Sequence, residues 1–152
     1  MPESFLGPFV GDLRFNHPFA IVVSGTTGAG KSTFLKNMIE KDGIKGTINE
    51  IYYFMPQIEK LNIKTKQNQI IQPLQGLPDR KWMDDQGWTT EDSKRDALFI
   101  FDDLWSECIN NETTRQAVTW ARNHLGISVA FVTQYFFEQS KTARLMKYDK
   151  KI

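Results

Sequence analysis

One cysteine, Cys108, stands in the 152-residue chain, so neither an intramolecular disulfide nor a cysteine-cluster metal site can form, and a reducing compartment fits. Long apolar runs are missing as well. None approaches the ~20 residues that a membrane helix needs, and the start, Met1-Pro2-Glu3-Ser4, lacks the basic region and apolar core of a secretory leader. The expectation is an intracellular chain, not secreted and without a membrane segment. Excess charge of one sign is absent too: 19 basic against 18 acidic residues leave a net +1, which argues neither for nor against a polyanionic partner. Locally, residues 141–152 hold five basic side chains against Asp149, a run that reads as a solvated tail or a nucleic-acid contact. No internal repeat or low-complexity tract appears, and 40% hydrophobic with 24% charged residues is the balance of one globular domain spanning 1–152.

What the chain does have is Gly25-Thr26-Thr27-Gly28-Ala29-Gly30-Lys31-Ser32, a match to GxxxxGK[ST] that follows the apolar run Phe19-Ala20-Ile21-Val22-Val23. That run reads as a buried strand, and the loop as a phosphate cradle. Glycines at 25, 28 and 30 let successive N–H groups turn inward toward phosphate oxygens. Residues 25–33, through Thr33, form the expected nucleotide-binding segment, with Lys31 supplying charge near the β and γ phosphates and Ser32 a hydroxyl for Mg²⁺. A helix should follow, because Phe34, Leu35, Met38 and Ile39 share one face, and its positive end would meet the anion. It should break at Asp42-Gly43.

Further along, Glu50-Ile51-Tyr52-Tyr53-Phe54-Met55 reads as a strand stopped by Pro56, and residues 69–72 as a short one. Gly76-Leu77-Pro78 opens a polar connection to Asp96 with room for a short helix. Ala97-Leu98-Phe99-Ile100-Phe101 is an uninterrupted apolar run of the kind buried on both faces of a parallel sheet, and it ends in Asp102-Asp103. An acidic residue there, downstream of a phosphate loop, is the Walker B arrangement: Asp102 is the expected Mg²⁺ ligand and Asp103 the candidate general base toward water. The bland alternative is a capped turn. Residues 113–124 predict a helix with Ala117, Trp120, Ala121 and His124 on its apolar face and Asn111 or Glu112 at its start. His124 is therefore expected to be a packed or capping histidine rather than a catalytic one. Residues 127–132 predict a last strand ending at Thr133-Gln134, where the Gln134 amide can donate to a phosphate and accept from water. Strands alternating with helices imply an α/β fold with a mainly parallel sheet flanked by helices, with Gly25, Asp102 and Gln134 meeting at the strands' carboxyl ends; with the loop and the Asp102-Asp103 pair added, the expected class is a P-loop NTPase of the RecA/ASCE type.

Taken together, His17-Pro18-Phe19, the loop, Gly76-Leu77-Pro78, Asp102-Asp103-Leu104 and Arg122-Asn123-His124-Leu125-Gly126-Ile127-Ser128-Val129 leading to Thr133-Gln134 are carried by most of the chain. On these residues the chain resembles the FtsK/HerA superfamily, specifically the poxvirus-type genome-packaging ATPases of large DNA viruses, virophages and polinton-like elements. The resemblance implies a homo-oligomeric ring that couples ATP hydrolysis with Mg²⁺ to movement of double-stranded DNA into a capsid, with viral capsid proteins as partners and the host cell or virion as its place. It also implies an arginine reaching each site from the neighbouring subunit, for which Arg122 and Arg144 are the candidates. Two departures stand out. Where such proteins often carry two adjacent histidines, this chain has Asn123 and His124. Relatives also tend to continue past the Gln134 segment into a further strand, whereas this sequence runs to Ile152: the strand is dispensable, or another segment such as residues 9–15 covers the sheet edge, or the domain is minimal or truncated.

Two other readings compete. A superfamily 3 viral helicase also pairs a phosphate loop with acidic residues after an apolar strand, but its third motif normally ends in asparagine, not Gln134. A non-translocating protein whose bound ATP only sets its assembly state is the other. A nucleotide kinase is disfavoured because residues 135–152 hold only Arg144 where an arginine-rich lid would lie, and a GTPase because no NKxD guanine-reading motif occurs.

Overall fold

The computed structural model describes residues 14–26, 30–88 and 95–134. In chain order the elements are β1 (Phe15–Asn16), β2 (Ala20–Ser24), α1 (Lys31–Glu40), β3 (Ile44–Lys45), β4 (Glu50–Met55), β5 (Ile70–Gln75), α2 (Arg80–Asp85), β6 (Ala97–Asp102), α3 (Trp105–Asn110), α4 (Glu112–Leu125) and β7 (Ser128–Thr133). Five strands form one sheet in the order β2-β7-β6-β4-β5 with every pairing parallel. All five carboxyl ends therefore lie along one edge.

Side-chain alternation splits the core in two. On one face, Leu98 and Ile100 of β6, Ile51, Tyr53 and Met55 of β4, and Ala130 and Val132 of β7 pack against Leu35, Met38 and Ile39 of α1. On the other, Phe99 and Phe101, Tyr52 and Phe54, and Val129 pack against Met83 of α2 and Val118, Ala121 and Leu125 of α4. The second face is aromatic: Phe99 meets Tyr52, Phe54, Trp82, Trp88 and Phe101 at ring-centroid separations of 5.2 to 6.3 Å.

Several expectations are met. The strands over 50–55 and 97–101 form, α1 ends just before Asp42, and Asn111 caps α4 by accepting from the Thr114 N–H at 3.0 Å. Other expectations are corrected. The run at 19–23 is not buried throughout: Val22 is 40% exposed and Ala20 is exposed, because β2 pairs only with β7 among the described residues. Phe15 does not cover that edge; β1 pairs with β3, Phe15 opposite Ile44, and residues 9–13 lie outside the described residues. The short strand expected at 69–72 extends to Gln75, and Pro73 is tolerated because β5 pairs only with β4 among the described residues. In α4 the buried face is Thr114, Val118, Ala121 and Leu125, one step round from the expected one. His124 is accordingly exposed and stacks on Trp120 at 5.1 Å.

At the amino ends of the central strands, Arg95 ties β6 to β4 and to the end of α2. Its Nε donates to Glu50 Oε2 at 2.9 Å, further guanidinium N–H groups bond Glu50 Oε1 and the Gln86 carbonyl, and the plane lies 3.6 Å over the Trp88 ring. The Tyr52 hydroxyl completes the cluster by donating to Glu50 Oε1 at 2.7 Å. Hydrogen bonds from Arg95, and then from Tyr52, hold the Glu50 carboxyl below its ordinary value of 4.5 against the opposing effect of burial.

Two outcomes follow from this packing. Phe99→Ala, which opens a void among five aromatic neighbours, should cost about 3–5 kcal/mol in urea unfolding. Because Glu50 is depressed in the folded state, its stabilising effect is complete above 4.5 and is lost as pH falls toward the folded value. Acid titrations monitored by circular dichroism should therefore show a steeper loss of stability below 4.5 for the wild type than for Glu50→Gln.

Candidate functional site

Strand β7 is flanked by β2 and β6, and its last two carbonyls hold both neighbouring loops. The Thr133 carbonyl accepts from the Gly25 N–H at 3.2 Å, and the Val132 carbonyl accepts from the Asp103 N–H at 2.8 Å. Adjacent strands lie about 4.8 Å apart, so the two loop origins sit roughly 10 Å from one another across β7. Gly25, Asp102 and Gln134 thus come to the same sheet edge, as expected from the order of the elements.

Of the glycine-rich segment, Gly25, Thr26, Gly30, Lys31, Ser32 and Thr33 are described; Thr27, Gly28 and Ala29 lie outside the described residues. Gly30 has φ of 93°, a left-handed conformation that a side chain resists, and it starts α1. No side-chain cap and no acidic residue compensates the first turn of this ten-residue helix, so its positive end is directed at the loop. Lys31 is the first helical residue, and its ammonium donates to the Gly25 carbonyl. Ser32 and Thr33 are exposed on the first turn.

Asp102 closes β6 on the α1 face, the parity of Leu98 and Ile100. Its Oδ2 accepts from the Tyr53 hydroxyl at 2.7 Å. Burial pushes the Asp102 carboxyl up; the Tyr53 hydrogen bond opposes that, Asp103 and Glu59 reinforce it, and Lys31 acts against it. Burial, and then the bond to Asp102, likewise pushes the Tyr53 hydroxyl up. A carboxylate with this surplus of negative neighbours is a place for a cation. Among the described residues no group of three or more His, Cys, Asp or Glu side chains converges on a metal. Oxygen donors alone, the Asp102 carboxylate and the Ser32 hydroxyl, fit Mg²⁺ completed by phosphate oxygens and water.

Asp103 has φ of 58°, also left-handed, which aspartate tolerates better than most residues. It is exposed where the chain leaves the sheet for α3. Gln134 is half-buried one residue past β7. No protein-family model matches the chain, and neither a curated protein nor a solved structure does.

Of the two candidate arginines, the described one is not part of this assembly. Arg122 is exposed in the last turn of α4, which ends at Gly126 and leads straight into the start of β7, so it lies toward the opposite end of the strands. Arg144 lies outside the described residues, as does the basic run at 141–152. The lone thiol offers no nucleophile, since burial pushes Cys108 up to about 11. No helix among the described residues is long and apolar enough to cross a membrane.

Tyr53 escaped the reading of the sequence, although a signal for it exists. It shares parity with Asp102 across a β4–β6 register that sets Tyr53 opposite Ile100. If the loop and helix end form an anion site, Lys31→Ala should weaken binding of a fluorescent ATP analogue in EDTA at least tenfold with an unchanged unfolding midpoint, as followed by anisotropy.

Proposed function

We propose that this chain is an ATPase of the P-loop, RecA/ASCE type, and that it works as the motor of a genome-packaging machine related to the FtsK/HerA superfamily. The observation that carries the hydrolytic part is the convergence of Gly25, Lys31, Asp102 and Asp103 around the end of β7. The packaging part rests on the resemblance in the 122–129 segment and its lead to Gln134, and with it come duplex DNA, a ring of identical chains and capsid proteins as partners.

In this reading the start of α1 and its loop bind the phosphates, and Lys31 leaves the Gly25 carbonyl for the β and γ oxygens. Ser32 and Asp102 would hold Mg²⁺, which supplies charge to the β and γ oxygens when bound. Gln134 orients a water whose oxygen bonds to the γ-phosphorus as the bond to the bridging oxygen of ADP breaks. Asp103 accepts the proton that this water loses. Its exposed position one residue beyond the half-buried Asp102 separates proton transfer from cation binding.

Turnover measured by phosphate release should require Mg²⁺ and fall at least a hundredfold in Asp103→Asn, a variant whose asparagine tolerates the same left-handed backbone. Undiminished turnover would remove Asp103 from its role. Added duplex DNA should stimulate hydrolysis if the chain is a packaging motor. A response confined to single-stranded or forked DNA would favour a helicase, and none at all an ATP-gated assembly protein.

A further inference from the structure

We propose that Tyr53 is a positioning residue for the nucleotide-bound cation: its hydroxyl holds one oxygen of Asp102 and commits the other to the metal. The inference rests on the ATP-site reading above. A free carboxylate at a strand end rotates about its Cβ–Cγ bond and offers either oxygen, or both, to a cation. Here Oδ2 already accepts from Tyr53 at 2.7 Å, which fixes the plane of the group and leaves Oδ1 as the available ligand. Mg²⁺ suits single-oxygen ligation of this kind, because its tight octahedral shell is completed by phosphates and water.

Tyr53 can do this because its ring is held by packing. It is 5% exposed, packs in the α1-side core, and sits on β4 opposite Ile100, two residues before Asp102 on the adjacent strand. A tyrosine ring spans that diagonal offset, where serine or threonine would fall short. Tyr52, the preceding residue, points to the other face and gives its hydroxyl to Glu50. The two adjacent tyrosines therefore do separate jobs, and each is a control for the other.

The test is a Mn²⁺ titration of the full chain with a non-hydrolysable ATP analogue, read by electron paramagnetic resonance. Tyr53→Phe keeps the ring and should weaken Mn²⁺ binding to the protein–analogue complex about tenfold, the range found when a residue supporting a metal ligand is lost. Analogue affinity in EDTA should hold, and Tyr52→Phe should bind Mn²⁺ as the wild type does. In an Asp102→Asn background, Tyr53→Phe should add no further loss. Wild-type Mn²⁺ affinity in Tyr53→Phe, or an equal loss in both backgrounds, overturns the role of Tyr53 while leaving the ATP site standing. A wild-type chain that binds neither analogue nor Mn²⁺ overturns the site and the inference together.

Discussion

Everything at the carboxyl edge of the sheet depends on β7 lying between β2 and β6. The glycine-rich loop and the Asp102-Asp103 turn arise from strands that do not touch each other, and the carbonyls of Thr133 and Val132 hold them at a fixed separation. The pairing cannot slide. A one-residue slip would send Ala130 and Val132 to the aromatic face and Val129 and Phe131 to the α1 face, taking the Phe131 ring away from its stack on Phe101. The far end of β7 is pinned as well. Ser128, fully buried, accepts from the Phe19 N–H at 3.0 Å and lies 2.5 Å from His17 Nδ1, while His17 Nε2 is 3.5 Å from Asp96. That trio has the composition of a catalytic triad, but a serine sealed at the amino ends of the strands meets no substrate. It works as a latch from β7 to the β1–β2 connection.

The same alternation that builds the core also aims the chemistry. Leu98 and Ile100 face α1 because α1 offers Leu35, Met38 and Ile39 to cover them. Asp102 must then face the same way, toward the helix whose first residue is Lys31. Hydrophobic burial along β6 thus sets the direction of a polar residue that gains nothing from burial itself. Tyr53 is aimed by the same rule on β4.

Much of this was legible beforehand because it is local. A glycine-rich loop between an apolar strand and an amphipathic helix, an apolar run ending in two aspartates, and an asparagine cap are each readable within a few residues. What was not legible depends on partners far along the chain. The exposure of β2 follows from its place in the strand order, which no property of residues 19–23 reveals. The apolar face of α4 was misjudged because Trp120 looks like core by type, yet it only borders the cluster, and Thr114 is buried by donating to the Pro78 carbonyl at 3.1 Å. Helix α3 lacks a side-chain cap and so carries no start signal in the sequence. Tyr53 needed the register between β4 and β6 before its hydroxyl could be matched to Asp102.

Arg122 places a geometric demand on any assembly that uses it. Six-residue strands span about 20 Å, and Arg122 lies toward their amino ends while Gly25 and the start of α1 lie at their carboxyl ends. A two-fold pair would need one self-complementary patch that runs the length of the sheet to join them. A head-to-tail contact needs no such patch, because two different surfaces meet, one bearing the arginine and the other the site. Repeated with a closing rotation, that contact is a ring. An arginine acting between chains from this position would therefore belong with cyclic assembly, reaching a neighbour's carboxyl edge across the head-to-tail contact.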